Sequence, residues 1–121
     1  MEPLSLQDLH HLAMNHVGKE LEKQGFEFIA INSQLKKHPQ FVCVDKPTNT
    51  LHFVMVQAVT YPDNPADYDV LFMETFINHA KGKKAKVLYA GVGFANAEDF
   101  EKPVFKNQDY ILNYEGIKEI L

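Results

Sequence analysis

The stretch TLHFVMVQAVTY, Thr50 to Tyr61, decides how the fold is read. Its β-branched and aromatic residues predict a strand. One residue in this apolar run stands out: Gln57, two positions after Met55. Strand alternation puts Met55 and Gln57 on one face and His52, Val54 and Val56 on the other. Just upstream, QFVCVD (40–45) and LHFVMVQA (51–58) flank KPTNT, whose Pro47 and Asn49 belong in a turn. Together they predict a β-hairpin.

Outward from the hairpin, the other elements follow from periodicity and caps. Leu9, Leu12, Ala13, Val17 and Leu21 recur at helical spacing over about Leu6–Gln24. Ser5 is a suitable N-cap, Asp8 at N3 approximates a capping box, and Gly25 suits the C′ stop. FEFIAI (26–31) reads as a strand, followed by the polar connection NSQLKKHP. Beyond the loop TYPDNP a second helix is expected, with Asn64 as N-cap, Pro65 at N1 and Asp67 at N3. Its apolar stripe is Tyr68, Leu71, Phe72, Phe76 and Ala80. AKVLYAGVGFA reads as a long buried strand and DYILNY as another, with a helical turn near AEDFEK and a short C-terminal helix at EGIKEIL. The order α-β-β-β-α-β-β, plus that last helix, predicts a single α/β domain over residues 1–121, a mixed sheet flanked by helices.

Composition narrows the function more than it defines it. The chain of 121 residues carries a net charge of −4, which gives no overall drive toward nucleic acid or anionic membrane. All positive charge is lysine, so the side chain best suited to bidentate phosphate or guanine recognition is absent. Lys36 and Lys37, and Lys81, Lys83, Lys84 and Lys86 in KGKKAK, form a candidate basic surface, although lysines at a helix end also suit the dipole. The single cysteine, Cys43, excludes an internal disulfide and a Cys-based zinc cluster. No apolar run reaches the length of a membrane span and MEPLSLQDLH does not resemble a signal peptide, so a cytoplasmic location is expected.

From Met14 to Ala95 the layout resembles the restriction-endonuclease-like, or PD-(D/E)XK, superfamily, nearest to its small bacterial YraN-like branch. Leu21, Gly25 and Phe26 match the branch's L-x-x-x-G-aromatic helix end. Ala30, Ile31 and Asn32 fall at its strand-to-connection step, and Phe53-Val54-Met55-Val56-Gln57 at its F-V-E-V-K strand. The resemblance implies a nuclease-like fold whose chemistry needs hard oxygen ligands for magnesium and a lysine near the attacking water. Here the glutamate position is Met55 and the lysine position Gln57. The aspartate of the preceding strand falls at Phe41 or Val42, and the helix-borne glutamate at Met14. Thioether, phenyl and alkyl groups do not hold magnesium, and glutamine supplies neither proton nor charge. The resemblance therefore implies a degenerate site with no catalytic residue, metal or cofactor. The simpler reading is that Gln57 only begins the strand's exit toward solvent.

Three functions compete. A non-catalytic binding or interaction module would use the apolar surface left by Met14 and Met55, and the aromatic C-terminal third (Phe94, Phe100, Phe105, Tyr110, Tyr114) would suit a homodimer or protein partner, or simply the core. A weak nucleic-acid binder would use the lysines and aromatic stacking. An enzyme of another kind would need His and Asp residues brought together by folding. Other motifs are weaker: Asp45 suits a turn, no His pair has zinc spacing, and Gly91-x-Gly93 lies inside a strand, as a bulge or close approach would require.

Overall fold

The computed structural model describes residues 2–35 and 37–121; Lys36, one of the candidate basic residues, lies outside them. The elements are α1 (Leu6–Lys23), β1 (Phe26–Ile31), β2 (Phe41–Asp45), β3 (Thr50–Thr60), α2 (Val70–Gly82), β4 (Lys86–Asn96), β5 (Tyr110–Tyr114) and β6 (Lys118–Glu119). They form an α/β fold with one mixed six-stranded sheet. Its order is β1-β2-β3-β4-β5, and β6 pairs with the same β4 farther toward that strand's start. β3 and β4 are parallel, joined through α2, and the other pairings are antiparallel.

The α1 ends are set by chemistry legible in the chain. Ser5 Oγ accepts the Asp8 N–H while the Asp8 carboxylate accepts the Ser5 N–H, a reciprocal capping box. Gly25 then turns the chain at φ +89°, where a Cβ would be strained. The hairpin closes as expected. Asp45 accepts from Thr48 Oγ1 through its side chain and from the Asn49 N–H through its carbonyl, so its role is that of a turn residue.

Alternation on β3 and β4 splits the core in two. Val54, Val56, Leu88, Ala90, Val92 and Phe94 pack against Leu9, Ala13, Met14, Val17 and Leu21 of α1. On the opposite face Phe53, Met55, Val87 and Tyr89 pack against Met73, Phe76 and Ala80 of α2. Each such leucine or valine, fully buried, stabilises the fold by about 1.5–3 kcal/mol relative to exposure.

Two expectations are corrected. The second helix starts at Val70 with Asp69 as its N-cap, not at Pro65. Asn64 instead turns the chain locally, its side chain accepting the Ala66 N–H and its carbonyl the Asp67 N–H. The reason lies across the sheet. The Tyr89 hydroxyl donates to the Pro65 carbonyl at 2.6 Å. Gly91 leaves room for the same carbonyl, which would stand 1.9 Å from a Cβ there. That clamp takes residues 61–69 over β4 before a helix can begin, so the buried face becomes Met73, Phe76 and Ala80, with Leu71 exposed. The short C-terminal helix is also absent: Gly116 at φ +95° breaks the run, and Lys118 and Glu119 pair with Tyr89 and Leu88 as β6. The segment near AEDFEK is a turn held by Asn96, whose side-chain oxygen accepts from the Glu98 and Asp99 N–H groups.

Candidate functional site

The cleft of interest arises because β3 outruns β2. Their ladder ends at Phe41↔Val54, yet β3 continues to Thr60 alongside β4. At the point where β2 stops, Gln40 replaces a strand neighbour. Its backbone N–H donates to the Val54 carbonyl at 3.0 Å, and its side-chain oxygen accepts the Val56 N–H at 2.7 Å. The amide NH2 reaches the Lys37 carbonyl at 3.1 Å and His38 Nδ1 at 2.7 Å. Because the oxygen is committed to a donor and the nitrogen to a carbonyl, the orientation of Gln40 is fixed. His38 Nδ1 is therefore an acceptor, and in the neutral ring the proton sits on Nε2.

Beyond Gln40 the edge of β3 opens into a cavity of about 300 Å³. α1 supplies Leu6 and His10 on one side; Tyr68, Asp69 and Phe72 supply the other, with Met55, Gln57 and Ala58 between them. The Tyr89–Gly91 clamp sets that second wall. Gln57 strengthens it, its amide donating to the Asp67 carbonyl at 3.0 Å. Asp69 is engaged as the helix cap, accepting the Phe72 N–H at 3.1 Å.

The polar groups of this cleft are mostly uncharged. His10 is only 2 % exposed, and its Nε2 has no hydrogen-bond partner among the described residues. Burial, with His11 and His38 nearby, pushes His10 below the ordinary imidazole value. His38 is exposed as a residue, yet partial desolvation of its ring, which packs 4.9 Å from that of Phe72, lowers it as well. At neutral pH the cleft thus presents neutral imidazoles and amides between apolar walls, with one exposed carboxylate at its rim.

The residues singled out from the sequence divide between two places. Met55 and Gln57 line this cleft, and Val42 packs on the same face as Met55. Met14 and Phe41 lie on the α1 face, where they line a separate groove of about 580 Å³ with His11, Asn15 and Lys19. Gln7 stands between the two, bonded to His11, to the Ser33 carbonyl and to the Leu35 N–H. Among the described residues, no group of three or more His, Cys, Asp or Glu side chains is placed to hold a metal ion.

The lysines do not join the cleft as a group. His52 faces Lys86 and Gln57 faces Gly91 in the parallel register, so Lys86 lies about 16 Å along the strands from Gln57. Lys86 also pairs with Glu119 at 3.0 Å. Lys81, Lys83 and Lys84 are exposed at the end of α2, and among the described residues only Lys37 borders the cleft's loop. The aromatic C-terminal third is mixed: Phe94 is core, while Phe100, Tyr110, Ile111 and Leu112 are exposed.

Sequence reasoning missed His10 and Gln40. His10 carried a usable signal, since it stands four, seven and eleven residues before Met14, Val17 and Leu21 on the buried stripe. Gln40 carried none, because its role depends on how far β3 overhangs β2.

No helix among the described residues is long and apolar enough to cross a membrane. No curated protein matches the chain. A family model described as Domain of unknown function (DUF8840) matches residues 7–120, from the first turn of α1 to the end of the sheet, and the chain belongs to that family.

Proposed function

We propose that this protein is a non-catalytic binding module, a relative of the restriction-endonuclease-like fold whose ligand cleft is lined by two of the positions that resemblance assigns to the nuclease site, with Met14 and Phe41 lying across the sheet. One observation carries the reading: Met55 and Gln57, the positions corresponding to the family's glutamate and lysine, line a cleft with apolar walls and neutral hydrogen-bonding groups. Such a surface is suited to an uncharged or weakly polar partner, since a few placed polar groups in an apolar concavity orient a ligand without charge. The nucleic-acid alternative gains little from this geometry, because among the described residues Lys81, Lys83, Lys84 and Lys86 lie away from the cleft and only Lys37 adjoins its loop. The methionine methyl groups provide the test. Titration with uncharged fragments is expected to shift the Met55 methyl resonance and leave Met14, in the other groove, in place. A library that never moves Met55 would overturn the proposal.

A second reading has one specific support. His10, His38 and Asp69 line the same cleft, and both imidazoles are held neutral, as a general base requires. Hydrolysis of a panel of activated esters, abolished in His38→Gln and unchanged in Lys84→Gln, would favour an enzyme over a binding module.

A further inference from the structure

The open edge of β3 has a direction that can be read from its bonds. The Val54 carbonyl points toward β2, where it accepts from Gln40, and the Tyr61 N–H points the other way, to the Phe94 carbonyl of β4. Main-chain groups alternate sides along a strand, so those of Val56, Ala58 and Thr60 point away from β4. The Val56 N–H is satisfied by the Gln40 side chain and the Thr60 carbonyl by the Asp63 N–H. That leaves the Val56 carbonyl, both main-chain groups of Ala58 and the Thr60 N–H without a partner strand among the described residues. Gln57, Ala58 and Val59 are only partly buried, so this edge is reachable.

From this we infer that the cleft receives an extended, uncharged peptide segment as an added strand on β3, in the place a longer β2 would occupy. The inference rests on the binding-module reading and names its partner class. An extended peptide supplies the donors and acceptors that the edge lacks, at the spacing the edge offers. Its alternate side chains would meet two different walls. Toward α1 they meet Leu6 and the buried His10, whose Nε2 has no partner among the described residues, which suits a hydrogen-bonding residue such as Asn, Gln or Thr. Toward α2 they meet Met55, Tyr68 and Phe72, which suit Leu, Val or Phe. The partner is therefore a segment alternating apolar and neutral polar residues. A charged segment would have to desolvate beside neutral groups.

The experiment uses the full chain and a panel of capped hexapeptides alternating Leu, Val or Phe with Asn, Gln or Thr, followed by amide resonances and amide exchange. At least one peptide is expected to bind and to slow exchange at Ala58 and Thr60. N-methylation of the peptide's edge-facing amides should weaken it about tenfold or more, as lost main-chain hydrogen bonds imply. Ala58→Pro should have the same effect, since it removes an N–H that the β3–β4 ladder does not use. The N-methyl peptides keep the test decisive if that variant does not fold. If fragments move Met55 but no panel peptide binds, or if peptide binding survives N-methylation, the strand-addition inference is wrong and the binding module stands. If neither fragments nor peptides bind, both fall.

Discussion

Gln40→Met is the sharpest perturbation of this structure. Methionine matches glutamine in length and shape and keeps the backbone bonds of residue 40, but it removes the side-chain acceptor at Val56 and the donor at Lys37 and His38. The three losses are unequal. Lys37 and His38 are exposed, so water replaces the amide there at a cost of about 0.5 kcal/mol in total. Val56 is 2 % exposed and Gln40 fully buried, so the Val56 N–H is left without any partner. An orphaned buried donor costs about 1–3 kcal/mol, which makes about 2–3 kcal/mol the expected loss for the variant. For a chain of this size that corresponds to about 10 °C in Tm. Urea denaturation should show the fall in midpoint with an unchanged m-value, and the Val56 amide should exchange faster than its neighbours. Gln40→Glu adds a signature: it keeps an acceptor but turns a carboxylate toward the Lys37 carbonyl, so its deficit relative to wild type should shrink as acid protonates the group. A Gln40→Met variant within about 0.5 kcal/mol of wild type, the range of ordinary surface substitutions, would refute the account of how β3 is held beyond β2.

Other consequences can be checked directly. Gly91→Ala forces a Cβ onto the Pro65 carbonyl, so it should cost about 2–4 kcal/mol and displace residues 61–69. Tyr89→Phe should cost only about 1–2 kcal/mol by losing the bond to the same carbonyl, and a wild-type Tm for Gly91→Ala would refute the clamp. The pH dependence follows from His10 and His38, both below the ordinary value of 6.5 when folded. As pH falls below 6.5 the unfolded chain takes up protons first, so stability is full above that value and declines as acid approaches the lowered folded values. His10→Met should make that decline shallower, and an unchanged slope in acid-dependent urea melts would count against burial as its cause. Calorimetry with magnesium and manganese is expected to give no binding heat, and tight binding by wild type would overturn the degenerate-site assignment and favour an enzyme.

The legible part of this fold was the part governed by neighbours in sequence. Ser5, Asp8 and Gly25 mark α1 because caps are local, and β2 and β3 announce themselves through alternation and the turn between them. The start of α2 misled because Asn64 and Pro65 carry the same signals in a loop as at a helix terminus. What separates the two cases is Gly91, twenty-six residues away and silent about its role until β4 lies beneath Pro65. The C-terminal segment EGIKEIL has helix-forming residues, but its pairing to β4 is a long-range choice. The site was half visible. Met55 and Gln57 stood out as polar and soft atoms in an apolar strand, whereas their separation from Met14 by the sheet itself appears only when both faces are built.

The irregularity in β1 bears on how the protein behaves when concentrated. β1 is an edge strand of the sheet, with Ile29 and Ile31 both largely exposed, and its pairing to β2 slips between Phe28 and Ala30. A flat outer strand with that side-chain pattern would invite a second molecule to zip onto it. The extra residue at Ile29 spoils the regular spacing such zipping needs, and so guards against runaway polymerisation. Deleting Ile29 would straighten the strand at modest cost in local pairing, and light scattering at high protein concentration is expected to rise above that of the wild type.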